Sequence, residues 1–370
     1  MIMNEVEKYI GIYNSPDKYP TYGHSNHGNK SLPLISKWLP ASIVDVGCGY
    51  NEFINEIKTL YPTIDAIGVD FACPGADIIA NAETLPFTYK QYSILSAFDT
   101  LEHIPNELVQ KTLREFNRVS KKFIFSISYV ESKNKWQGHT LHPTVRSEDW
   151  WMHEIVKAGG IAVKKWGRYI YGQWQDMPNI HNNTKVILVG NGPNILTEER
   201  GEIIDSYDEI VRFNNFHIDG YERFTGSKTT LWSTFFKADS PVAEKHDRIL
   251  CTHEKDTPSI PHKEVYHISS IFYNKIWNDV KRRVQWAKGL TQDHEPKLLA
   301  TSGLMVAAWI LNVLEVDTID LVGFDHFSKE KSGLHHYWIN KSFKRPAEHN
   351  GDIERLMFAD LAAAGRVRYI

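Results

Sequence analysis

The chain twice runs from an apolar strand through a glycine-bearing turn into a helix pattern. The first start is Ser42–Gly49 (SIVDVGCG) and the second is Lys185–Gly192 (KVILVGNG). After the first, Ile43–Val46, Ala66–Val69, Tyr92–Phe98 and Phe123–Ser128 predict strands. Phe53–Leu60, Glu107–Arg118 and Glu148–Ala158 predict helices, the last stopping at Gly159-Gly160. After the second, strands are expected at Val186–Val189, Glu209–Phe213, Thr229–Trp232, Arg248–Cys251 and Thr318–Val322, and helices at Leu304–Leu314 and Asp352–Ala364. Alternation of this kind predicts an α/β protein with two tandem Rossmann-like domains. Asp176–Thr184 (DMPNIHNNT) is polar and aperiodic, which makes it the expected linker. The expected domains are residues 1–181 and 182–370.

Composition narrows the function classes. A chain of 370 residues has room for two cores, and 12% aromatic residues exclude a largely disordered chain. Lys+Arg 42 against Asp+Glu 45 gives a net charge of −3, so no broad basic field supports nucleic-acid binding. Cys48, Cys73 and Cys251 form no CxxC pair, which suits a reducing compartment and speaks against a cysteine zinc site. The polar start reads as neither signal peptide nor anchor. The most apolar stretch, Leu298–Leu314, is broken by Thr301, Ser302, Gly303 and Asn312 and falls short of the ~20 apolar residues of a spanning helix. It predicts a loop and a buried helix. A cytoplasmic protein is expected, with peripheral membrane association left open.

The first candidate site begins at Asp45-Val46-Gly47-Cys48-Gly49. Glycines at a strand end let the backbone approach a ligand, and Asp70 at the end of the next strand is placed to grip ribose hydroxyls. Asn81–Phe87 (NAETLPF) and Ala97–Pro105 (AFDTLEHIP) follow, then His139–Pro143 (HTLHP). Together, from Leu32 to Trp174, these segments resemble the class I S-adenosylmethionine-dependent methyltransferases. That resemblance implies S-adenosylmethionine (SAM) bound through Asp45, Gly47, Gly49, Asp70 and Asn81. Asn51 stands where that family has its third glycine, and Asn81 where an acid is frequent. His103 reads either as a general base or as a structural histidine at a strand end.

The second candidate site has two carboxamides, Asn191 and Asn214, at strand ends. Such groups can hydrogen-bond a phosphate or ribose without adding charge. The run Val186–Thr230 resembles the large motif of the sialyltransferases, glycosyltransferase family 29. Ala300–Met305 (ATSGLM) with Val316–Phe324 resembles their small motif, His335–Trp338 (HHYW) the third, and His349 with Glu354 the very small motif. The resemblance implies a sialyltransferase-like GT-A variant that binds a CMP-sugar through Asn191, Asn214, Thr301, Ser302 and Gly303. By the same resemblance His336 stabilises the departing nucleotide, His349 is the general base and Glu354 supports its region. Ile339 replaces an acid after the third motif, and neither main motif carries a cysteine.

No Asp-x-Asp occurs, and a CMP donor has one phosphate, so metal independence is expected; His335-His336 lacks a third ligand by spacing. Trp309 and Trp338 read as core. The expected activity is inverting transfer of sialic acid or a related 2-keto acid such as Kdo to a glycan or lipid-linked glycan. Two other readings stay open: a SAM-dependent glycan O-methyltransferase with a glycan-recognising C-terminal domain, and a non-catalytic scaffold in polysaccharide assembly. Asp239–Val265 and Phe272–Pro296 are the expected variable loops around the acceptor.

Overall fold

The computed structural model describes residues 5–24, 27–235, 243–254, 262–287, 300–326, 336–338 and 351–370. The chain divides into two compact units, Met1–Asp176 and Met177–Ile370. Asp176 stays with the first, where its carboxylate meets the Tyr89 hydroxyl and lies 3.8 Å from the Lys90 ammonium.

The first unit contains α1 (Glu5–Tyr13), α2 (Leu32–Trp38), β1 (Ser42–Val46), α3 (Glu52–Leu60), β2 (Asp65–Asp70), β3 (Ile78–Ile79), β4 (Tyr92–Phe98), α4 (Val109–Val119), β5 (Ser120–Ser126), β6 (Lys135–Trp136), β7 (His139–Thr140), α5 (Glu148–Lys157), β8 (Gly160–Trp166) and β9 (Tyr169–Trp174). Seven strands form one sheet in the order β3-β2-β1-β4-β5-β9-β8. The first five are parallel, while β9 runs antiparallel to both β5 and β8. β1 is buried from Ile43 to Val46, apolar apart from Asp45, because both of its faces are covered. On one side α3 inserts Phe53, Ile54 and Ile57 against Ile35, Ile43 and Ile94. Strand order reverses between β1 and β4, so a crevice opens at their carboxyl ends, where open α/β sheets bind ligands.

The second unit contains β10 (Val186–Val189), α6 (Gly201–Asp205), β11 (Glu209–Phe213), α7 (Glu222–Thr225), β12 (Leu231–Thr234), β13 (Arg248–Cys251), β14 (Glu264–His267), α8 (Ser270–Ala287), α9 (Ser302–Asn312), β15 (Ile319–Val322), α10 (Gly351–Ala363) and β16 (Val367–Tyr369). Its sheet has the order β14-β13-β12-β11-β10-β15-β16, with each neighbouring pair parallel. Two charged pairs are built into the sheet. Arg248 places one nitrogen 2.9 Å from both oxygens of buried Glu209, and Arg368 pairs with buried Asp320 at 2.7 and 2.9 Å. The reversal here lies at β10, between β11 and β15.

The α/β expectation and the paired parallel-rich sheets hold. Several elements are additions to the sequence reading: α1, the β8–β9 hairpin, β14, α8 and β16. The expected loop Phe272–Pro296 is corrected in its first part, which is α8; there Phe272, Ile276, Val280 and Val284 recur every four residues and are buried. Residues 288–299 lie outside the described residues. In the other expected loop, residues 248–251 form β13. The strand expected at Thr229–Trp232 is displaced to Leu231–Thr234, because Thr230 uses its amide and hydroxyl on β11 before the ladder with β12 begins. Trp309 is buried in α9, whose residues 303–311 are all buried. Cys48, Cys73 and Cys251 are free thiols. Among the described residues, no helix is long and apolar enough to cross a membrane.

Candidate functional site

A cavity of about 900 Å³ opens at the β1–β4 crevice of the first unit. Asp45, Gly47, Gly49, Asp70 and Asn81 all line it, so the five SAM positions expected from sequence meet in one space. Gly47 has φ of 77°, and a Cβ there would lie 2.3 Å from the Thr100 hydroxyl, so any side chain would collide with β4's exit. Asn51 occupies a left-handed conformation at the start of α3 (φ 64°), one of the few a non-glycine residue tolerates through its short polar side chain. Its amide donates to the Gly75 carbonyl at 2.9 Å. The missing third glycine is thus replaced by a residue that keeps the backbone path.

Asp70 is pre-positioned. Its Oδ1 accepts the Ala72 and Cys73 amides at 2.9 Å each, and its Oδ2 accepts the Gly49 amide at 3.2 Å and the Tyr13 hydroxyl at 3.3 Å. The two backbone bonds to Oδ1 lock the carboxylate, and Oδ2, with its longer contacts, is the oxygen open to exchange with a ligand hydroxyl. Asp45 is buried, accepts from the Ser96 hydroxyl at 2.6 Å, and has its carboxyl pushed up to about 7, chiefly by burial and further by the Asp70 charge.

The wall of this cavity includes a segment that the sequence reading passed over. Helix α1 contributes Glu5, Val6, Tyr9 and Tyr13, and the turn after it adds Tyr22, Gly23 and His24. The spacing Val6, Tyr9, Tyr13 was the available signal, since it marks one helical face. Tyr9 and Tyr13 pack edge-on or stacked with Tyr22, Phe71 and Tyr50, which makes this wall aromatic. Tyr9 also bonds Nδ1 of His103 at 2.8 Å. Burial, then the neighbouring His142, pull the His103 imidazole down to about 3. So weak a base is poorly suited to deprotonating an acceptor hydroxyl, which argues against the general-base option for His103. Glu102 beside it is buried, and its carboxyl is pushed up to about 8 by that burial.

In the second unit the expected donor residues gather at the carboxyl ends of β10 and β11 and the start of α9. Asn214 follows β11 with φ of 48°. Its Oδ1 accepts the Phe235 amide at 2.9 Å, and its Nδ2 reaches the Ser302 hydroxyl at 3.5 Å. Asn191 donates to the carbonyls of Phe213 and Asn215 at 3.2 and 3.3 Å, bracketing Asn214 from both sides. Asn191 is therefore a strut for the turn that carries Asn214. Its own carbonyl accepts the Tyr337 amide at 3.2 Å, which ties the HHYW segment to the end of β10. Adjacent His336 stacks on Trp338 at 4.7 Å and 5°, and Trp338 packs on the core of this unit.

Thr301 caps α9 by accepting the Leu304 amide at 3.2 Å. Its backbone amide donates to Glu354 Oε1 at 2.8 Å, and its hydroxyl donates to the other Glu354 oxygen. Glu354 is buried, so it holds the α9 start in place, and Thr301 spends its hydrogen bonds on protein partners. What remains toward a ligand is the Ser302 hydroxyl and the first-turn amides of Ser302 and Gly303. A helix start of this kind favours an anion through its dipole and unpaired amides. A Cβ on Gly303 would lie 2.6 Å from the Phe324 ring, which explains glycine in this first turn. His349 and His335 lie outside the described residues.

Residues 30–160 match the family described as methyltransferase domain, and residues 173–260 match glycosyltransferase family 29 (sialyltransferase). The chain thus joins a stretch similar to methyltransferase domains to one similar to family 29 glycosyltransferases. The family 29 match carries Asn191 and Asn214, while Thr301, Ser302, Gly303, His336 and His349 lie beyond it. Mouse CMP-N-acetylneuraminate-beta-galactosamide-alpha-2,3-sialyltransferase 1 is 24% identical over 267 residues, covering 62% of this chain and 74% of that protein. For other curated vertebrate relatives the chain spans 56% of their length, about half. Among solved structures, a mammalian sialyltransferase in complex with Gal-beta-1-3GalNAc-ortho-nitrophenol is 20% identical, with 50% of this chain and 69% of that chain covered and a TM-score of 0.36. A SAM-dependent methyltransferase from Thermotoga maritima is 16% identical, with 46% and 99% covered and a TM-score of 0.34. Both matched families are transferases.

Proposed function

We propose that the family 29 unit moves sialic acid, or a related 2-keto sugar acid such as Kdo, from a CMP-linked donor to a hydroxyl of a glycan or lipid-linked glycan. The observation that carries this is the meeting of Asn214, braced by Asn191, with Ser302 at the start of α9. Two carboxamides, a hydroxyl and unpaired helix amides suit a cytidine and one phosphate, and they add no charge of their own. The acceptor hydroxyl gives its proton to His349 as its oxygen bonds the anomeric carbon. The bond from that carbon to the phosphate oxygen breaks, and CMP leaves with its electron pair. Attack opposite the leaving group inverts the anomeric centre. His336 and the α9 amides stabilise charge as it builds on the departing phosphate. A single phosphate can be held in this way without a metal ion.

The methyltransferase unit is proposed to bind SAM in its cavity, with Asp70 on the ribose and the Gly47–Gly49 turn against the methionine part. The cavity itself favours a second activity, methyl transfer to a glycan oxygen, beside or instead of glycosyl transfer. Ligand-induced thermal shifts separate the readings. A ligand at 100 times its dissociation constant stabilises the native state by about 2.7 kcal/mol. Stabilisation by CMP supports the glycosyltransferase reading, and stabilisation by S-adenosylhomocysteine alone supports the methyltransferase reading. No response to either would leave a scaffold in polysaccharide assembly.

A further inference from the structure

His103 and His142 line the cavity of the methyltransferase unit, with buried Glu102 immediately behind them. One ligand atom of each lies within 4.8 Å of the others. We propose that Glu102, His103 and His142 bind a divalent transition-metal ion of the zinc class, such as Zn²⁺, Co²⁺ or Mn²⁺. The sequence reading expected no metal, on the missing Asp-x-Asp and the lack of a third ligand beside His335-His336, and it did not weigh Glu102, His103 and His142 together; the fold brings these three close.

Hydrogen-bond bookkeeping fixes the free lone pairs. His142 Nδ1 lies 2.7 Å from the Val130 carbonyl, which can only accept, so Nδ1 carries the proton and Nε2 the lone pair. His103 Nδ1 lies 2.8 Å from the Tyr9 oxygen, and Tyr9 donates its one proton to the Leu141 carbonyl at 2.9 Å. His103 Nδ1 therefore donates to Tyr9, and its Nε2 is also a lone pair. Metal-binding histidines are typically held in this way, with the far nitrogen donating to a protein oxygen. Glu102 accepts the Ser128 amide at 3.0 Å through Oε1, whereas its Oε2 is buried without a hydrogen-bond partner. A buried carboxyl oxygen left without a partner is unfavourable, and a cation that displaces its proton supplies what it lacks. Ligand bonds of ~2.0–2.2 Å require the three side chains to draw in by roughly 1 Å.

Two nitrogens and one oxygen leave a coordination position open, as catalytic sites do, and the two histidines face the cavity. A role in methyl transfer rests on the reading of this unit given above. The ion would hold an acceptor hydroxyl and ease loss of its proton to solvent. The acceptor oxygen then bonds the methyl carbon as the carbon–sulfur bond breaks, and its electron pair turns the sulfonium into a thioether.

The test titrates the metal-free full-length protein with Co²⁺ and follows its visible d–d absorption. Wild-type protein should give bands of a low-coordinate site, and His142→Ala should weaken binding by at least about tenfold. Tyr9→Phe keeps all three ligands but removes the oxygen that orients His103, so it should weaken binding roughly 10–100-fold. Glu102→Gln should also lose affinity, and His142→Ala keeps the test decisive if that variant does not fold. The proposal is overturned if wild-type protein shows no bands, or if the bands survive His142→Ala, which would locate the ion among the other histidines. Calorimetry with S-adenosylhomocysteine on wild-type protein tests the underlying reading separately. If the Co²⁺ signature behaves as expected and that ligand does not bind, the metal site stands and its role in methyl transfer falls.

Discussion

Each unit gathers its candidate residues at the carboxyl ends of strands where its own sheet reverses order, yet the two differ in chemistry. The first presents carboxylates, Asp45 and Asp70, inside a cavity with an aromatic wall. The second presents carboxamides, a hydroxyl and the start of a helix, and its buried Glu354 is turned onto Thr301. The difference fits the charges of the ligands proposed for the two units. SAM carries a sulfonium and an ammonium, which favour carboxylates nearby, whereas CMP is an anion that favours neutral donors and a helix N-terminus. On the proposed function, one scaffold logic would serve a nucleoside cofactor and a nucleotide donor, and the charge of the side chains at the strand ends would tell them apart.

The largest expected effect lies in the second unit. His349→Ala should lower kcat by roughly 10²–10⁴ while CMP affinity stays close to wild type, because a base touches the acceptor and not the nucleotide. Near-normal turnover in that variant would remove His349 from the mechanism. In the first unit, Asp70→Ala should weaken S-adenosylhomocysteine by about ten- to a hundredfold, the range for hydrogen bonds to a charged group. CMP binding should be untouched, and parallel loss of both ligands would contradict separate sites. Asn214→Ala is the mirror experiment. It should weaken CMP about tenfold, with the methyl-donor product binding as before. An unchanged CMP affinity would detach Asn214 from the donor pocket.

The smallest effect is one of stability. Burial raises the Asp45 carboxyl from 3.8 to about 7, so the folded chain holds this proton more tightly than the unfolded chain. The unfolded state releases it first as pH rises, so this residue's contribution is fully favourable below pH 4 and is lost by pH 7 to 8. Asp45→Asn removes that loss while its carbonyl can still accept from Ser96. The variant should melt a few degrees higher than wild type at pH 8, on the order of 1 kcal/mol, with the gap closing toward pH 4. A gap independent of pH would mean that Asp45 is not strained by burial.

Much of this contrast was legible in the chain. Gly47, Gly49 and Asp70 stand out because strand, turn and helix are contiguous, and Asn191 and Asn214 because each ends an apolar strand. The expected strands at Tyr92–Phe98 and Val186–Val189 match residue for residue. Helix α8 was missed: its buried residues Phe272, Ile276, Val280 and Val284 fall in one narrow row every four positions, and the apolar neighbours Ile271, Tyr273 and Trp277 blur that row. Hairpin β8–β9 hides for another reason, since β8 exposes Lys164, Lys165 and Trp166 at one end and carries an irregular register. Contacts between distant positions were also out of reach. Nothing local joins Glu354 to Thr301 or His142 to His103, and the Val6, Tyr9, Tyr13 spacing marks a helical face without saying that it walls the first cavity.

The central claim is glycosyl transfer from a CMP-linked donor, and product analysis tests it most directly. The full-length protein is incubated with CMP-sialic acid or CMP-Kdo and a panel of small glycan acceptors, with and without EDTA, and the products are weighed by mass spectrometry. The account predicts a glycosylated acceptor and equimolar CMP, formed at the same rate when metal is chelated. Failure of both donors on every acceptor by protein that is folded and stabilised by S-adenosylhomocysteine, or activity abolished by EDTA, would contradict it.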